Sequence, residues 1–479
     1  MRIYLLAFAL FHILVAQAAA HPAEPDQVIS DSIDGSAHQS YQYVDFEVPS
    51  NTQELVIEFA YNRDNRTVID LGLNDPNGFI GWSGGSKNRI VISRTYASPG
   101  YLPTQVKQGK WQLILGVPNI RKESVSDYRI ELYYNQVATA FKSTTLNSKA
   151  RWYRGDLHAH SAHSDGHCPS NQQQKVGCPL IWSVQNAAQK GLDFIAMSEH
   201  NTLSQHNELF ELQPFFDSML LMPAREITTF YGHANVFGVT KHLPFTVTDG
   251  DVSHLQQQVI NNHGILSINH PALPSGEACM GCGWIANTDY TQVHAVEVLN
   301  GSVRKNHQDA FNARTFWHNL LNQGYKIAAV AGSDNHNGHS HELGDGNIGS
   351  PTTVIYAKNL STPALLDGIK AGKTFVSTQV SDTRIPNLTA RIGEQDFEIG
   401  DTAQVSPKAM SAAMLTLTLP SSKAEKVIFY SNNDTQTLYL KADKAVVTLN
   451  TENLKWANAE VYNHNDELLF ITSPIYFVR

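Results

Sequence analysis

The sequence predicts an α/β domain in the middle of the chain with a β-rich region on each side. Short apolar runs alternate with helical segments between residues 150 and 384, which is typical of a sheet built from strand–helix units. Before and after this stretch, β-type runs follow one another with turn residues between them. We therefore predict three folded regions, at residues 25–140, 150–384 and 385–479.

Length and charge agree with this division and exclude one class of partner. A chain of 479 residues exceeds one ordinary core, and its 42% hydrophobic and 16% charged composition is that of a soluble globular protein. The formal net charge of -9 gives no basic surface of the kind that a phosphate backbone requires. No nucleic-acid polymer is expected as a partner.

The first 20 residues have the pattern of a secretory signal peptide. Met1-Arg2 precedes an apolar run, Ile3–Val15, and small residues follow at Ala16–Ala20. Cleavage after Ala18 or Ala20 fits equally well. Because the run is shorter than the about 20 residues that a membrane span needs, no stable membrane anchor is expected. The mature protein is predicted to be periplasmic or secreted.

Residues 25–140 are predicted to form an antiparallel β-sandwich with a packing or stabilising role. Turn signals such as Asn74–Gly78 separate its β-type runs. These runs are Tyr43–Val48, Glu54–Phe59, Val68–Leu73, Trp111–Val117 and Tyr128–Tyr133. Contact with a glycan or another surface is the alternative role, for which Trp82 and Tyr101 are the candidate exposed aromatics.

The cysteines are candidates for disulfides because the protein is predicted to be exported. Cys168 and Cys178 share one polar insert, and Cys279 and Cys282 form a Cys-x-x-Cys in another. Two local bridges are the simplest connectivity. A bridge between the two inserts, or a zinc site made by all the thiolates, are the alternatives.

The central region, residues 150–384, alternates predicted helices and strands. The helices are Leu180–Lys190, Val252–Asn262, Asp309–Gln323 and Thr362–Ala371. The strands are Phe194–Met197, Met219–Met222, Ile265–Ile268, Ala295–Leu299 and Ile327–Ala331. From Ile385 onward, runs such as Ala412–Leu419, Lys426–Tyr430 and Ala445–Leu449 predict a small C-terminal β domain.

Metal-ligating side chains follow the central strands directly. The densest segment, Arg154–Gly166, holds three histidines and an aspartate within eight residues. Other such segments are Ser198-Glu-His200, Pro223-Ala-Arg-Glu226, Asn269-His270 and Gly332-Ser-Asp-Asn-His336. Loops at the carboxyl ends of parallel strands converge on one face, so we expect these side chains to meet. Imidazole and carboxylate suit divalent Zn, Mn or Fe.

These motifs, with Gly232-His233-Ala-Asn, resemble the polymerase-and-histidinol-phosphatase (PHP) superfamily, and more narrowly its branch named for carbaryl hydrolase. The resemblance covers residues 150–380 and implies a distorted (β/α)7 barrel with two or three divalent metals. It implies the following ligands: His158, His160, Glu226 and Asp334 for one metal; Glu226, His233 and His270 for a second; Asp165, His200 and His336 for a third. Catalytic roles would fall on Glu226, His200, Asp334 and His336.

Several further residues are weaker candidates. His163 competes with Asp165 as a ligand, although the family pattern favours Asp165. The candidate substrate contacts are Arg225, Asn201, Asn300 and Arg304. Ordinary surface or packing roles are the alternative for each of them.

The leading functional hypothesis is an exported phosphoesterase that uses a metal-bound hydroxide to hydrolyse a small organophosphate. The alternative is a metal-dependent hydrolase of a carboxylic ester, amide or carbamate. A pocket rich in Trp182, Trp284 and Trp317 without a convergent cation would favour this alternative. A non-catalytic metal-binding surface protein is a third hypothesis, which the complete set of ligand positions disfavours.

Overall fold

The computed structural model describes residues 24–276, 279–301, 313–340, 346–405, 412–421 and 425–479. The predicted signal peptide and the candidate substrate contact Arg304 lie outside these ranges. The described residues form two compact units. One consists of the chain up to Val91 with Lys107–Asn135, and the other of Ile92–Val106 with Gln136–Arg479.

The first unit is built from β-strands. Its strands are β1 (Gln27–Asp34), β2 (Ser40–Val48), β3 (Glu54–Tyr61), β4 (Val68–Asp75), β5 (Gly78–Gly84), β6 (Arg89–Ser93), β7 (Gly109–Asn119) and β8 (Val125–Asn135). They form two four-stranded sheets, in the orders β1-β8-β3-β6 and β2-β7-β4-β5. The packing of these sheets into a sandwich stays a prediction.

The two aromatics predicted to be exposed are not open binding surfaces. Tyr101 is buried. Trp82 is half-buried, and its indole lies against the backbone of Gly72 and Gly116, where an added Cβ would collide with the ring. Glycine at these positions therefore makes room for the indole.

The second unit carries the helices and the motif-bearing strands. Within the described residues its helices are α1 (Ala140–Ser143), α2 (Leu180–Gln189), α3 (Gln205–Leu212), α4 (Ser253–Asn261), α5 (Arg314–Asn322) and α6 (Thr362–Lys370). Its first strands are β9 (Arg151–Asp156), β10 (His167–Pro169), β11 (Lys175–Gly177), β12 (Phe194–Met197), β13 (Leu220–Thr229), β14 (Gly232–Phe237), β15 (Ile265–Ile268), β16 (Ala295–Asn300), β17 (Ala328–Gly332), β18 (Thr352–Ala357) and β19 (Thr374–Ser377). None of the described helices is long and apolar enough to cross a membrane.

The motif-bearing strands lie side by side in the order β17-β16-β15-β14-β13-β12-β9-β18-β19. Strands β9, β12 and β13 pair in parallel, as do β15, β16 and β17. Strand β14 is antiparallel to both of its neighbours. This reversal has a simple cause: Phe230 and Tyr231 alone separate β13 from β14, and so short a connection can only make a hairpin.

The backbone along one edge of β17 forms hydrogen bonds with side-chain hydroxyl groups and not with a neighbouring strand. The Thr353 hydroxyl donates to the carbonyl of Ala331 at 2.7 Å and accepts from its amide at 2.8 Å. The amide of Ala329 donates to Ser473 Oγ at 2.8 Å, and Thr374 Oγ1 donates to the Ala329 carbonyl at 2.7 Å. Among the described residues no backbone ladder joins β17 to β18, and the (β/α)7 barrel stays a prediction.

The strands after residue 385 do not all form a sheet of their own. They are β20 (Asn387–Ile392), β21 (Gln395–Glu398), β22 (Thr402–Gln404), β23 (Ala412–Thr418), β24 (Lys426–Ser431), β25 (Thr435–Tyr439), β26 (Lys444–Asn450), β27 (Trp456–Tyr462), β28 (Leu468–Thr472) and β29 (Ile475–Val478). Strands β21-β20-β23-β26 make a separate sheet, whereas β28, β27, β24 and β25 extend the large sheet beyond β19. The last part of the chain thus belongs to the same compact unit as the motifs.

The structure has one of the two predicted local disulfides. Cys279 and Cys282 lie at disulfide distance, with their Cα atoms 5.6 Å apart. Cys168 and Cys178 are free thiols, and both are buried. Burial and a hydrogen bond with Cys178 raise the pKa of the Cys168 thiol to about 12, so it is protonated at neutral pH.

Candidate metal centre

Glu226 is the centre of the candidate site. It lies on β13, is 1% exposed, and accepts a hydrogen bond from Asn269 Nδ2 at 2.9 Å. Histidines from separate segments surround its carboxylate. Oε1 lies 3.5 Å from His158 Nε2, 3.3 Å from His233 Nδ1 and 3.4 Å from His270 Nε2, and Oε2 lies 2.8 Å from His200 Nδ1 and 3.6 Å from His160 Nε2.

Asp334 approaches two of the same histidines from the loop after β17. Its Oδ1 lies 3.4 Å from His158 Nε2 and 3.3 Å from His160 Nε2. Its φ of 52° is unusual for a residue with a side chain, as is the φ of 25° at His270. Two predicted ligands thus adopt strained backbone conformations, which are common at functional sites.

A second group of ligands lies toward solvent. Asp165 Oδ1 is 3.6 Å from His200 Nε2 and 3.3 Å from His336 Nε2. The rings of His200 and His336 both lie next to His160, with centroids 4.4 and 4.3 Å from its ring and 6.1 Å from each other. The side chains of His200 and His336 are 25% and 33% exposed. Solvent therefore reaches the site from this side.

The spacing of the ligand atoms fits metal coordination better than hydrogen bonding. Most of the nitrogen–oxygen separations are 3.3 to 3.6 Å. These separations exceed those of a good hydrogen bond. Ligands about 2.0 to 2.2 Å from one ion in tetrahedral geometry lie about 3.3 to 3.6 Å apart.

Buried ligand atoms without hydrogen-bond partners support the same interpretation. Among the described residues, the unpartnered atoms that face other ligands are His158 Nε2, His160 Nε2 and Glu226 Oε2. Buried polar atoms normally have a partner, because leaving one unsatisfied is costly. The residues present therefore fit divalent ions.

The protonation states of the two central carboxylates and of His160 suit metal binding, whereas four other histidines must lose a proton before they can bind an ion. Burial lowers the pKa of His158, His200, His270 and His336, but neighbouring carboxylates outweigh burial and raise the pKa above its ordinary value. Burial raises the pKa of Glu226, but the nearby His158 and His200 imidazoles lower it well below its ordinary value. Asp334 is likewise buried, and His158 and His160 lower its pKa well below the ordinary value. Burial lowers the pKa of His160 to about 3. The two carboxylates are thus ionised and His160 is neutral near pH 7, as ligands must be.

Hydrogen bonds at the far side of each ring orient the histidines. His158 Nδ1 lies 3.0 Å from Glu297 Oε1, which leaves Nε2 facing Glu226 and Asp334. His200 Nδ1, which faces Glu226, lies 2.5 Å from Thr228 Oγ1, and this leaves Nε2 facing Asp165 in the outer group. His336 Nδ1 lies 2.9 Å from the Asp334 carbonyl. Such partners fix the tautomer and ring orientation of a ligand.

Two buried carboxylates hold the loops that carry the ligands. Asp156 accepts backbone N–H groups from His158 at 3.1 Å, Ser333 at 3.0 Å and Gly349 at 2.7 Å. Glu199 accepts the backbone N–H of Ser161 at 3.0 Å and the Ser161 hydroxyl at 2.5 Å. Asp156 thereby ties the loop after β9 to the loop after β17.

The nine predicted metal ligands all fall in groups of potential ligand atoms that lie within 4.8 Å of one another. The groups are His158, His160 and Asp334; His158, Glu226 and His270; His160, Asp165, His200 and His336; and His233, Cys279 and Cys282. They differ in membership from the sets implied by the family resemblance, because His160 joins Asp165 and His233 joins the cysteines. The division of the ligands among ions stays a prediction.

His163, the competing ligand, lies outside these groups. Its Nδ1 lies 2.8 Å from Ser204 Oγ, and its Nε2 lies 3.0 Å from Glu208 Oε2. The structure therefore gives this ring a role at the start of α3, whereas Asp165 lies with the ligands.

The candidate substrate contacts have other partners. Arg225 is adjacent to Glu226 on β13 and so points to the other face of the strand, where its Nη2 donates to the Lys241 carbonyl at 3.0 Å. Asn201 is bonded through both ends of its amide to the backbone of Thr228. Asn300 Nδ2 lies 3.0 Å from Glu297 and 3.3 Å from Asp334 Oδ2. Asn201 and Asn300 thus position the site, and Arg225 faces away from it.

The tryptophans that would mark an acyl-hydrolase pocket do not converge. Trp317 and Trp284 are buried in the core cluster, and the Trp182 ring lies 4.8 Å from the His339 ring. Among the described residues, the three tryptophans therefore do not form the shared pocket that would have favoured an acyl substrate.

The positioning residues Asp156, Glu297, Thr228 and Asn269 were missed from the sequence. Asp156 ends a strand that also holds two arginines and so gave no clear signal, whereas Glu297 is an acidic residue within an otherwise largely apolar strand. Such a residue is rarely buried without a specific partner. Thr228 and Asn269 carried no comparable signal.

Comparison with known proteins adds little. No protein-family model and no curated protein matches the chain. Among solved structures, the chain is similar to a two-domain protein from Bacteroides vulgatus ATCC 8482, described as containing a predicted PHP-like metal-dependent phosphoesterase. The similarity covers 68% of this chain and 96% of that one, at 16% identity and a TM-score of 0.38. So distant a likeness shows neither the fold nor the activity of this chain.

Proposed function

We propose that this protein is a metal-dependent hydrolase and that its substrate is a small organophosphate ester. One observation carries the proposal: buried imidazole and carboxylate atoms surround Glu226 and Asp334 at separations typical of metal ligands, and several of these atoms have no hydrogen-bond partner. A structural metal site needs four ligands and closes around one ion, whereas the groups here hold more ligands and extend toward solvent.

A phosphate ester suits this arrangement because neighbouring ligand groups share residues. His158 belongs to two groups, and so does His160. Ions held by such groups would be neighbours. A phosphate ester has several anionic oxygens on one atom and can contact adjacent cations, and paired cations can neutralise charge on the attacking and leaving oxygens.

The chain's own residues have distinct roles in the proposed reaction. Glu226 and Asp334 would hold the ions together with the histidines. Bound divalent ions supply Lewis acidity and make water a competent nucleophile near neutral pH. His200 and His336 line the open side, where the substrate enters. When the outer ligand group holds no ion, the His336 imidazole can donate a proton to the leaving oxygen.

The alternative, hydrolysis of a carboxylic ester, amide or carbamate, is favoured by one feature. Phe230 and Met280 are 82% and 73% exposed, and both lie on turns next to His233. Exposed apolar side chains at a site suit a substrate with an apolar group. We therefore propose, as the second candidate, that the substrate is an acyl compound whose apolar part packs against Phe230 and Met280.

A hydrolysis assay with metal removal tests both proposals. The purified protein would be treated with a chelator, restored with Mn²⁺ or Zn²⁺, and assayed on p-nitrophenyl phosphate, bis-p-nitrophenyl phosphate and p-nitrophenyl acetate. Phosphate turnover that depends on added metal is expected. Turnover of the acetate alone would favour the acyl substrate.

Two histidine variants test the site itself. His158→Ala should lower turnover at least about 100-fold and reduce bound metal, because His158 faces both central carboxylates. His163→Ala is the matched control, since it removes an imidazole from the same segment but outside the ligand groups. Full activity in His158→Ala would refute the assignment.

Export of the mature protein stays part of the proposal. The signal-like pattern at residues 1–20 lies outside the described residues, so the proposal of export rests on the sequence. Amino-terminal sequencing of the mature protein would show a start at Ala19 or His21 if either predicted cleavage occurs. A start at Met1 would contradict it.

A further inference from the structure

The Cys-x-x-Cys turn lies directly beside a predicted metal ligand. One potential ligand atom from each of His233, Cys279 and Cys282 lies within 4.8 Å of the other two. His233 Nε2 is 3.3 Å from the carbonyl of Met280, between the cysteines, while its Nδ1 is 3.3 Å from Glu226 Oε1. The imidazole therefore has one nitrogen toward the central carboxylate and the other toward the cysteines.

Packing holds this turn against the hairpin that carries His233. Gly281 has a φ of 78°, and an added Cβ there would collide with the carbonyl of Thr229. The amide of Trp284 donates to the Pro271 carbonyl at 3.1 Å, which anchors the chain just after the second cysteine. Cys282 is buried and Cys279 is half-buried, so the turn is accessible from one side. Neither cysteine has to travel to reach His233.

We propose that reduction of the Cys279–Cys282 pair creates a separate metal site, in which the two thiolates and His233 Nε2 bind a thiophilic divalent ion such as Zn²⁺. Two sulfurs and one imidazole are a typical ligand set for zinc, and three protein ligands leave a fourth position for water. The central groups offer nitrogen and oxygen ligands, so the two sites differ in the ions they prefer. The new site shares His233 with the proposed hydrolytic centre but does not depend on hydrolysis.

The chemistry requires a two-electron reductant. A dithiol transfers two electrons and two protons to the disulfide and becomes a disulfide itself, whereas a phosphine gives the two electrons and becomes its oxide, with the two protons and the oxygen supplied by water. In either case Cys279 and Cys282 become thiols. Binding of the ion then releases both thiol protons, so the ion is coordinated by two thiolates with no net charge on the ion and sulfurs together. The Nε2 lone pair of His233 completes the protein ligands, so the ring proton moves from Nε2 to Nδ1, which faces Glu226 Oε1.

The chain supplies a matched control in its other two cysteines. Cys168 and Cys178 are also close to each other, but within the described residues they join no third ligand. A metal bound through thiolates in the reduced protein should therefore depend on Cys279 and Cys282 alone.

Cobalt binding to the full-length mature protein tests the proposal, because thiolate–Co²⁺ bonds absorb in the near ultraviolet whereas nitrogen and oxygen ligands do not. The protein would be titrated with Co²⁺ before and after reduction with a phosphine. The reduced protein should bind one more Co²⁺ per chain and show the thiolate band, and Zn²⁺ should displace it. The oxidised protein should show neither.

The double variants decide the assignment. Cys279→Ser with Cys282→Ser should lose the band, and Cys168→Ser with Cys178→Ser should keep it. A reduced wild-type protein without the band, or a band that follows Cys168 and Cys178, would overturn the proposal. Ester hydrolysis is measured on the same samples. A protein without hydrolytic activity would contradict the proposed function, but the cobalt band would still test the thiolate site.

Discussion

Glu297→Gln is the sharpest test of how the site is held together. The Glu297 carboxylate accepts hydrogen bonds from the backbone of His270 at 2.9 Å and from Asn300 Nδ2 at 3.0 Å through Oε2. Its other oxygen lies 3.0 Å from His158 Nδ1. A glutamine has almost the same shape but only one oxygen. If that oxygen keeps the bonds to His270 and Asn300, the amide NH2 must face His158 Nδ1.

This change forces the wrong tautomer on a ligand. An amide N–H opposite Nδ1 requires a lone pair there, so the ring proton moves to Nε2, the atom that faces Glu226 and Asp334. Loss of an outer partner of a metal ligand typically lowers metal affinity by about 10- to 100-fold. Because the tautomer itself is reversed, we expect the upper end of this range, which equals about 2.7 kcal/mol of binding free energy.

Isothermal titration of the metal-free variant with Zn²⁺ measures this loss. Glu54→Gln is the control, since Glu54 is as deeply buried, accepts from Asn135 Nδ2 at 2.8 Å and lies in the first unit. The control should retain wild-type affinity. Affinity within about twofold of wild type in Glu297→Gln would refute the proposed orientation of His158.

Further predictions concern positions that support the site or lie near it. Asp156→Asn places an amide N–H against the backbone N–H of Gly349, so urea denaturation should show a loss of about 1 to 3 kcal/mol in the free energy of unfolding. Gly332→Ala brings a Cβ into collision with His158, and metal analysis should show lower occupancy. Burial lowers the pKa of His206 to about 3, so the folded protein stays neutral there while the unfolded chain is protonated below its ordinary pKa of 6.5. Stability is therefore lost as the pH falls from 6.5 toward 3, and His206→Leu should reduce this loss in urea denaturation at a series of pH values.

Each of these predictions has a contradicting result. Wild-type stability in Asp156→Asn would show that the amide is accommodated by rearrangement. Gly276→Ala is the control for Gly332→Ala, because an added Cβ at Gly276 meets no atom within 4 Å, and equal metal occupancy in the two variants would contradict the collision. An unchanged pH profile in His206→Leu would mean that this imidazole takes up a proton without unfolding.

The proximity of the candidate ligands was predictable from the sequence because several of them follow apolar runs that form strands. Phe194–Met197 and Ile265–Ile268 have the predicted bounds, and His200 and His270 follow them. The strand before Glu226 starts at Leu220 but runs on to Thr229, since the hairpin with β14 extends it. The local sequence pattern thus predicted that these side chains lie near one another, but it did not predict which of them share a ligand group.

The supporting contacts were beyond the sequence because they join distant segments. Glu297 meets His158 across 139 positions, and Asp156 meets Ser333 across 177. No local pattern specifies such pairs. The orientation of Arg225 was readable, however, because neighbours on a strand face opposite sides and Glu226 already faced the site. Cysteine pairing also depends on the folded chain, and it produced one bridge where two were predicted.

The hydroxyl contacts along β17 have a consequence for protein synthesis. The amide of Ala329, on the strand that leads to Asp334, is paired with Ser473, which lies 144 positions later. At about 5 to 20 residues per second, a ribosome needs about 7 to 30 s to add that stretch. During this time the amide of Ala329 lacks its hydrogen bond to Ser473 Oγ. The end of β17 and the loop that carries Asp334 are therefore less firmly held than in the complete protein. We therefore expect metal capture to follow release of the segment between β28 and β29 that holds Ser473, so a nascent chain stalled before that point should bind metal weakly.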